Sequence, residues 1–116
     1  MHEFSIALNI IEIAETEAVK AKGSAVRELE LEIGTMAGIE FDALDTALEM
    51  AVKNTMLEDC RMVVHKIKAR AKCRDCGTEF SLEQVYDPCP ECNSPFHEIL
   101  KGKELRVKSL VVDTPA

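Results

Sequence analysis

From Phe4 to Ala18 the apolar positions return every three or four residues. Phe4, Ala7, Leu8, Ile11, Ala14 and Ala18 form the stripe, which Ile10 and Ile13 widen. That period predicts an amphipathic helix over residues 3–22. Glu12, Glu15 and Glu17 lie off the stripe, Lys20 and Lys22 suit the helix's negative end, and Gly23 is a natural stop. The period then drops to two. Across residues 26–33, Leu29, Leu31 and Ile33 point one way and Glu28, Glu30 and Glu32 the other, which predicts a strand with one covered face. After a turn from Gly34 to Gly38, Phe41, Leu44, Leu48 and Ala51 mark a second helix over residues 40–54.

A second strand begins near Cys60. Met62 and Val64 share a phase, whereas Ile67, Ala69 and Ala71 fall in the opposite one, so a bulge near His65 or Lys66 is expected. Lys66, Lys68, Arg70, Lys72 and Arg74 form a basic ladder at period two, expected to match the glutamates of the first strand across the wet sheet face. His65 reads as an ordinary strand residue and Cys60 as a buried small apolar one. Strand character returns at residues 104–112. The order helix, strand, helix, strand, insert, strand predicts an α+β fold: two helices packed on a three-stranded sheet, with an inserted four-cysteine, zinc-ribbon-like module. The expected domains are 1–70 plus 104–116, and an insert at 71–103. Strand order in the sheet is not readable from the pattern.

The insert is built on Cys73-Arg74-Asp75-Cys76 and, twelve residues further on, Cys89-Pro90-Glu91-Cys92. Two CxxC pairs at this spacing can place four thiolates around one ion, the requirement of structural zinc. The position after each pair tends to need a left-handed backbone, and Gly77 and Asn93 stand there. Pro88 and Pro90 stiffen the second knuckle. Disulfides or unrelated thiols are the competing explanation. A closed four-thiolate site has no open coordination position, so it holds shape and neither activates water nor polarises a carbonyl.

Charge narrows the field. Fourteen basic against 21 acidic residues give −7, to which a divalent ion on four thiolates adds about −2. Aromatics make up 4% of residues and there is no Trp, so general binding of nucleic acid is disfavoured. No apolar run nears the roughly 20 residues of a membrane span, and no signal peptide is evident. The cysteine pattern fits a reducing cytoplasm.

Met1-His2-Glu3 has two readings. At a free terminus, the α-amine, the His2 amide nitrogen and its imidazole can close two fused chelate rings, with the Glu3 amide or carboxylate adding a donor. Amide nitrogens lose a proton only to ions that favour a square-planar field, chiefly Cu(II) and Ni(II). The first amides of a helix have no intrahelical acceptor, so using one as a ligand breaks no helix bond. Removal of Met1 is not expected before a residue as large as His. The other reading is an exposed His in a frayed terminus.

The opening Met-His-Glu-Phe-Ser-Ile-Ala, the Gly34 turn after an alternating strand, the CxxC…CxxC insert and the Glu104-Leu105 strand together resemble the hydrogenase nickel-incorporation proteins (HypA/HybF) over essentially the whole chain. The resemblance implies a non-enzymatic nickel metallochaperone. Such a protein delivers Ni(II) to the [NiFe]-hydrogenase large-subunit precursor, together with a nickel-binding GTPase accessory protein. Some members also serve urease maturation with its accessory proteins. By position, Met1, His2 and Glu3 would bind nickel, with His2 essential, while Cys73, Cys76, Cys89 and Cys92 would hold structural zinc. Some members carry His directly after each CxxC; Gly77 and Asn93 occupy those places here, so a switch of zinc ligands through them is not expected. Longer relatives carry a His between the two pairs that completes the nickel site, and this chain has none. His97 and Glu40 are the candidate substitutes, against a surface histidine and a helix N-terminal charge.

Two other classes compete. A zinc ribbon that binds nucleic acid or assembles a regulatory complex predicts salt-sensitive nucleic-acid binding. A rubredoxin-like electron carrier predicts iron in the same thiolates and a red protein.

Overall fold

The computed structural model describes residues 2–115. In chain order the elements are α1 (His2–Lys20), β1 (Ala25–Gly34), α2 (Phe41–Ala51), β2 (Arg61–Ile67), β3 (Arg70–Cys73), β4 (Glu79–Ser81), β5 (His97–Lys101) and β6 (Leu105–Asp113). They fall into two compact units. One runs through Leu31, resumes over Ile39–His65 and continues from Arg106; the other comprises Glu32–Gly38 and Lys66–Leu105.

The first unit has the expected two layers. Ile6, Ala7, Ile10, Ile11, Ala14 and Ala18 are the buried residues of α1, and Leu44, Ala47 and Leu48 those of α2. Its three-stranded sheet has the order β2-β1-β6, with β1 in the centre. Leu29, Leu31 and Ile33 are buried along β1, as their alternation requires. The end of α1 differs from expectation in one respect. Lys22, not Gly23, takes the left-handed conformation at φ +59°. Lys22 N–H donates to the Val19 carbonyl at 3.0 Å and Gly23 N–H to the Ala18 carbonyl at 2.8 Å, the paired bonds that close a helix end. Gly23 packs closely against β6, where a Cβ on it would lie 3.0 Å from Cβ of Val112.

The wet side of the first sheet carries a three-strand polar chain. Ser109 Oγ donates to Glu30 Oε2 at 2.6 Å, and His65 Nε2 lies 3.1 Å from Glu30 Oε1. The hydrogen bond from Ser109, then that from His65, holds the Glu30 carboxyl below the usual range. His65 is thus more than a plain strand residue. Arg61 pairs with Glu28 of β1 at 3.9 Å. Of the basic ladder, Lys72 is in register with Glu79 on one side and Glu98 on the other.

In the second unit β3 pairs antiparallel with both β4 and β5. Ala69, Ala71, Cys73, Phe80, Leu82 and Cys89 form its core, with Met36 and Ile99 packed against it. The expected bulge at His65 or Lys66 is instead a change of sheet: β2 ends at Ile67 and β3 begins at Arg70. A register shift does occur, between Arg70 and Ala71 of β3. Close backbone packing accompanies the break. A Cβ on Gly102, at φ +117°, would come within 2.6 Å of Ala69 Cα, and one on Gly34 within 1.9 Å of the Gly102 carbonyl oxygen. Three backbone segments therefore meet here without intervening side chains. Gly34 N–H donates to the Glu104 carbonyl, Thr35 N–H to Ile67 and Met36 N–H to Gly102.

Candidate metal centre

Four sulfurs converge in the second unit. The Sγ atoms of Cys73, Cys76, Cys89 and Cys92 all lie within 4.8 Å of one another. Cys73 and Cys92 sulfurs are 3.5 Å apart, Cys76 and Cys89 sulfurs 3.6 Å. A tetrahedron with metal–sulfur bonds of about 2.3 Å has edges of about 3.8 Å, whereas a disulfide holds its sulfurs at about 2.05 Å. All the cysteines are free thiols. The spacing fits one ion and excludes disulfides.

The two knuckles are built alike. Gly77 N–H donates to the Cys73 carbonyl at 3.0 Å and Asn93 N–H to the Cys89 carbonyl at 2.8 Å. Gly77 and Asn93 have φ of +78° and +62°, the left-handed turn their identities predict. Cys73 N–H donates to the Thr78 carbonyl, and Cys89 N–H to the Ser94 carbonyl. Cys76 N–H points at Cys73 Sγ, at 3.5 Å. The repeated Cys-(Gly/Asn)-(Thr/Ser) after each pair is a sequence signal for this layout, and the sequence reading missed it. It also missed a clasp between the knuckles: Ser94 Oγ donates to Asp75 Oδ2 at 2.5 Å and accepts from Phe96 N–H at 3.1 Å.

Four sulfurs at this spacing set their thiols apart from one another. The Thr78 side chain and backbone draw the Cys76 thiol down to about 6. For Cys92 the Ser94 backbone N–H pulls the same way, but Cys73, burial and the other thiols push it up to about 12. Four sulfurs this close cannot all ionise together without a positive charge among them; a divalent ion removes that obstacle. Among the described residues these cysteines are the one group of three or more His, Cys, Asp or Glu placed to hold an ion.

His97 sits opposite Cys73 in the β3–β5 register. Its ring meets Phe80 edge-on, with centroids 5.9 Å apart at 87°, and its Nδ1 is buried with no hydrogen-bond partner among the described residues. It is a half-buried packing residue, not the surface histidine expected. Cys60 is half-buried, with its thiol pushed up by burial and by Glu28.

The amino end belongs to the first unit. Met1 lies outside the described residues. His2, the first residue of α1, is exposed. Glu3 Oε2 accepts the main-chain N–H of Glu40 at 3.2 Å, which is the main cause of its carboxyl lying below the usual range. Glu40 caps α2, accepting from Asp42 N–H at 3.1 Å and Ala43 N–H at 2.8 Å. Its carboxylate is committed to that helix. His2, Glu3 and Glu40 do not assemble three side-chain donors, so a site here needs main-chain nitrogen.

A family model described as hydrogenase/urease nickel incorporation, metallochaperone, hypA matches residues 1–112. The chain belongs to this family. It is 47% identical to the hydrogenase maturation factor HypA of Parabacteroides distasonis over 112 residues, covering 97% of each chain. It is 39% identical to that of Geotalea uraniireducens over 113 residues, covering 97% of this chain and all of the relative. The solution structure of the Ni metallochaperone HypA from Helicobacter pylori shares the fold, at TM-score 0.69 and 23% identity, covering 97% of this chain and 98% of that one. In this member of the family an α+β fold carries a four-cysteine cluster placed to hold a metal ion. Among the described residues no helix is long and apolar enough to cross a membrane.

Proposed function

We propose that this chain carries Ni(II) at its amino end and releases it to the [NiFe]-hydrogenase large-subunit precursor, while the four cysteines hold a structural zinc. The helices and the β2-β1-β6 sheet form the nickel-binding part (1–70 plus 104–116), and the insert (71–103) forms the zinc-binding part. It is a carrier rather than a catalyst and works in the cytoplasm. Its partners are a nickel-binding GTPase and, in urease maturation, a urease accessory protein.

The observation that carries the reading is the placement of His2. It is exposed at the first position of α1, in a chain matched to the nickel-incorporation family from residue 1. The opening amides of a helix have no intrahelical acceptor. With Met1 as the free terminus, its amine, the His2 amide nitrogen and the imidazole supply three nitrogens in the planar field Ni(II) favours. Glu3 stands next to His2, with Oε2 of its carboxylate accepting the Glu40 main-chain N–H, and would lend a carboxylate oxygen to the ion.

Release follows by ligand exchange. A site built on one chain terminus and open to solvent lets an incoming donor bind nickel before the outgoing nitrogens have all left. Amine and imidazole must give up their protons to bind, so affinity falls as pH drops. The zinc would be held by Cys73, Cys76, Cys89 and Cys92 and would supply cross-linking alone.

Calorimetric titration of Ni(II) into untagged protein, with elemental analysis, tests both assignments. One nickel per chain is expected, lost in His2→Ala and in a variant extended ahead of Met1, with about one zinc per chain retained in both. Unchanged one-to-one nickel binding by His2→Ala would refute the assignment.

A further inference from the structure

Between the start of α1 and the middle of α2 lies a groove of about 410 Å³, lined by Glu3, Phe4, Ala43, Thr46, Ala47 and Met50. Apart from the Glu3 carboxylate and the Thr46 hydroxyl, its wall is hydrocarbon and thioether. The sequence explains its shape. Leu44, Ala47 and Leu48 are buried on α2, while Ala43, Ala47 and Met50 recur at three- and four-residue steps and carry apolar surface round toward solvent. Alanine at 43 and 47 keeps the floor low, and Phe4 and Met50 make the sides. Met50 is 58% exposed, and Leu8, one helical turn beyond Phe4, is 48% exposed. Methionine suits a surface that must mould itself to another.

The charge near this groove is mostly acidic: Glu3 lines it and Asp42 stands one helical turn before Thr46, against Lys53 just past the end of α2. α2 carries Asp42, Asp45 and Glu49 and no basic residue, and the sole Lys of α1 is Lys20, in its last turn. Lys20 is some 16 positions from Phe4, or about 24 Å along the helix. A second copy of this chain would bring like charges together across the contact, which disfavours it as occupant.

We propose that this groove docks an amphipathic segment of a partner protein, one that inserts one or two large apolar side chains and flanks them with Lys or Arg. Glu3 forms part of the wall, so on the nickel reading above a segment seated there lies beside the ion's ligands, and its owner is a protein that gives or takes the metal. The docking itself does not depend on that reading.

The probe is a sixteen-residue model helix with a leucine face flanked by lysines, titrated into isotope-labelled full-length protein and followed by NMR. Shifts should centre on Phe4, Ala43, Thr46, Ala47 and Met50 and weaken with added salt. The same peptide with Glu for Lys should not bind. Met50→Glu separates seating from mere attraction. An apolar seat predicts at least about tenfold weaker binding, whereas attraction by net charge predicts tighter binding to the added carboxylate. Met50→Leu should bind as the parent does. His2→Ala should lose nickel yet keep the peptide, so that nickel and docking fail separately. Equal or tighter binding by Met50→Glu, or shifts outside the groove, would overturn the proposal. So would self-association of the chain that Met50→Glu abolishes, because the occupant would then be a second copy.

Discussion

The main-chain N–H of Glu40 donates to Oε2 of Glu3 at 3.2 Å, tying the first turn of α1 to the cap of α2. Glu40's own carboxylate closes that cap on Asp42 and Ala43. One residue thus serves both helices, with its backbone on one and its side chain on the other.

Glu40→Ala should therefore cost about 0.5–2 kcal/mol, the usual range for a lost cap, read as a lower midpoint in thermal unfolding. Glu3→Ala should speed hydrogen exchange at the Glu40 amide, while Glu3→Gln, which keeps an acceptor oxygen, should slow it again.

The Asp75–Ser94 clasp joins the two knuckles from outside the sulfurs. If the four cysteines hold zinc as proposed, Ser94→Ala should weaken its binding by about 10–100-fold, the range for partners that orient metal ligands, as read by competition with a chelator. Stripping the metal from the cysteines with a chelator should collapse the amide dispersion of β3, β4 and β5, since the core there is small.

Gly34→Ala should be severe. A methyl group 1.9 Å from the Gly102 carbonyl oxygen has nowhere to go. A loss of about 3 kcal/mol or more is expected, measured by denaturant unfolding, and Gly38→Ala, with open space around its Cβ position, serves as the milder control.

Glu30 sets an acid-side dependence. Hydrogen bonds from Ser109 and then His65 lower its carboxyl in the folded state. Its contribution is therefore present above the unfolded value of about 4.3 and lost as pH falls through the folded one. Between pH 6 and 3 the melting temperature of Glu30→Gln should fall less steeply than that of the parent, and Ser109→Ala should lie between them.

Much of this was legible in the sequence. The 3.6-residue period of α1 and α2 and the alternation of β1 are long enough to register, and CxxC spacing with Gly77 and Asn93 carries its own geometry. The small sheet was not. β4 has three residues and β3 four, too short for a period, and they are organised by the knuckles and by β5. The phase reversal after Val64 was visible, but one strand with a bulge and two strands in different sheets write the same pattern. Glu40 escaped as a cap because Asp, Asn, Ser and Thr are the usual capping residues. Lys22 took the left-handed position that glycine would normally advertise.

The side-chain-free crossing of Gly34, Ala69 and Gly102 also dictates where this fold can lengthen. An added residue near it would drive main chain into main chain. The stretch Glu83–Asp87 is the opposite case: Asp87 Oδ2 accepts the amides of Glu83 and Gln84, and Val85 and Tyr86 stand out in solvent. Extra residues spliced there should leave the four-cysteine cluster intact, which makes that loop the natural place for an affinity tag or a fluorophore.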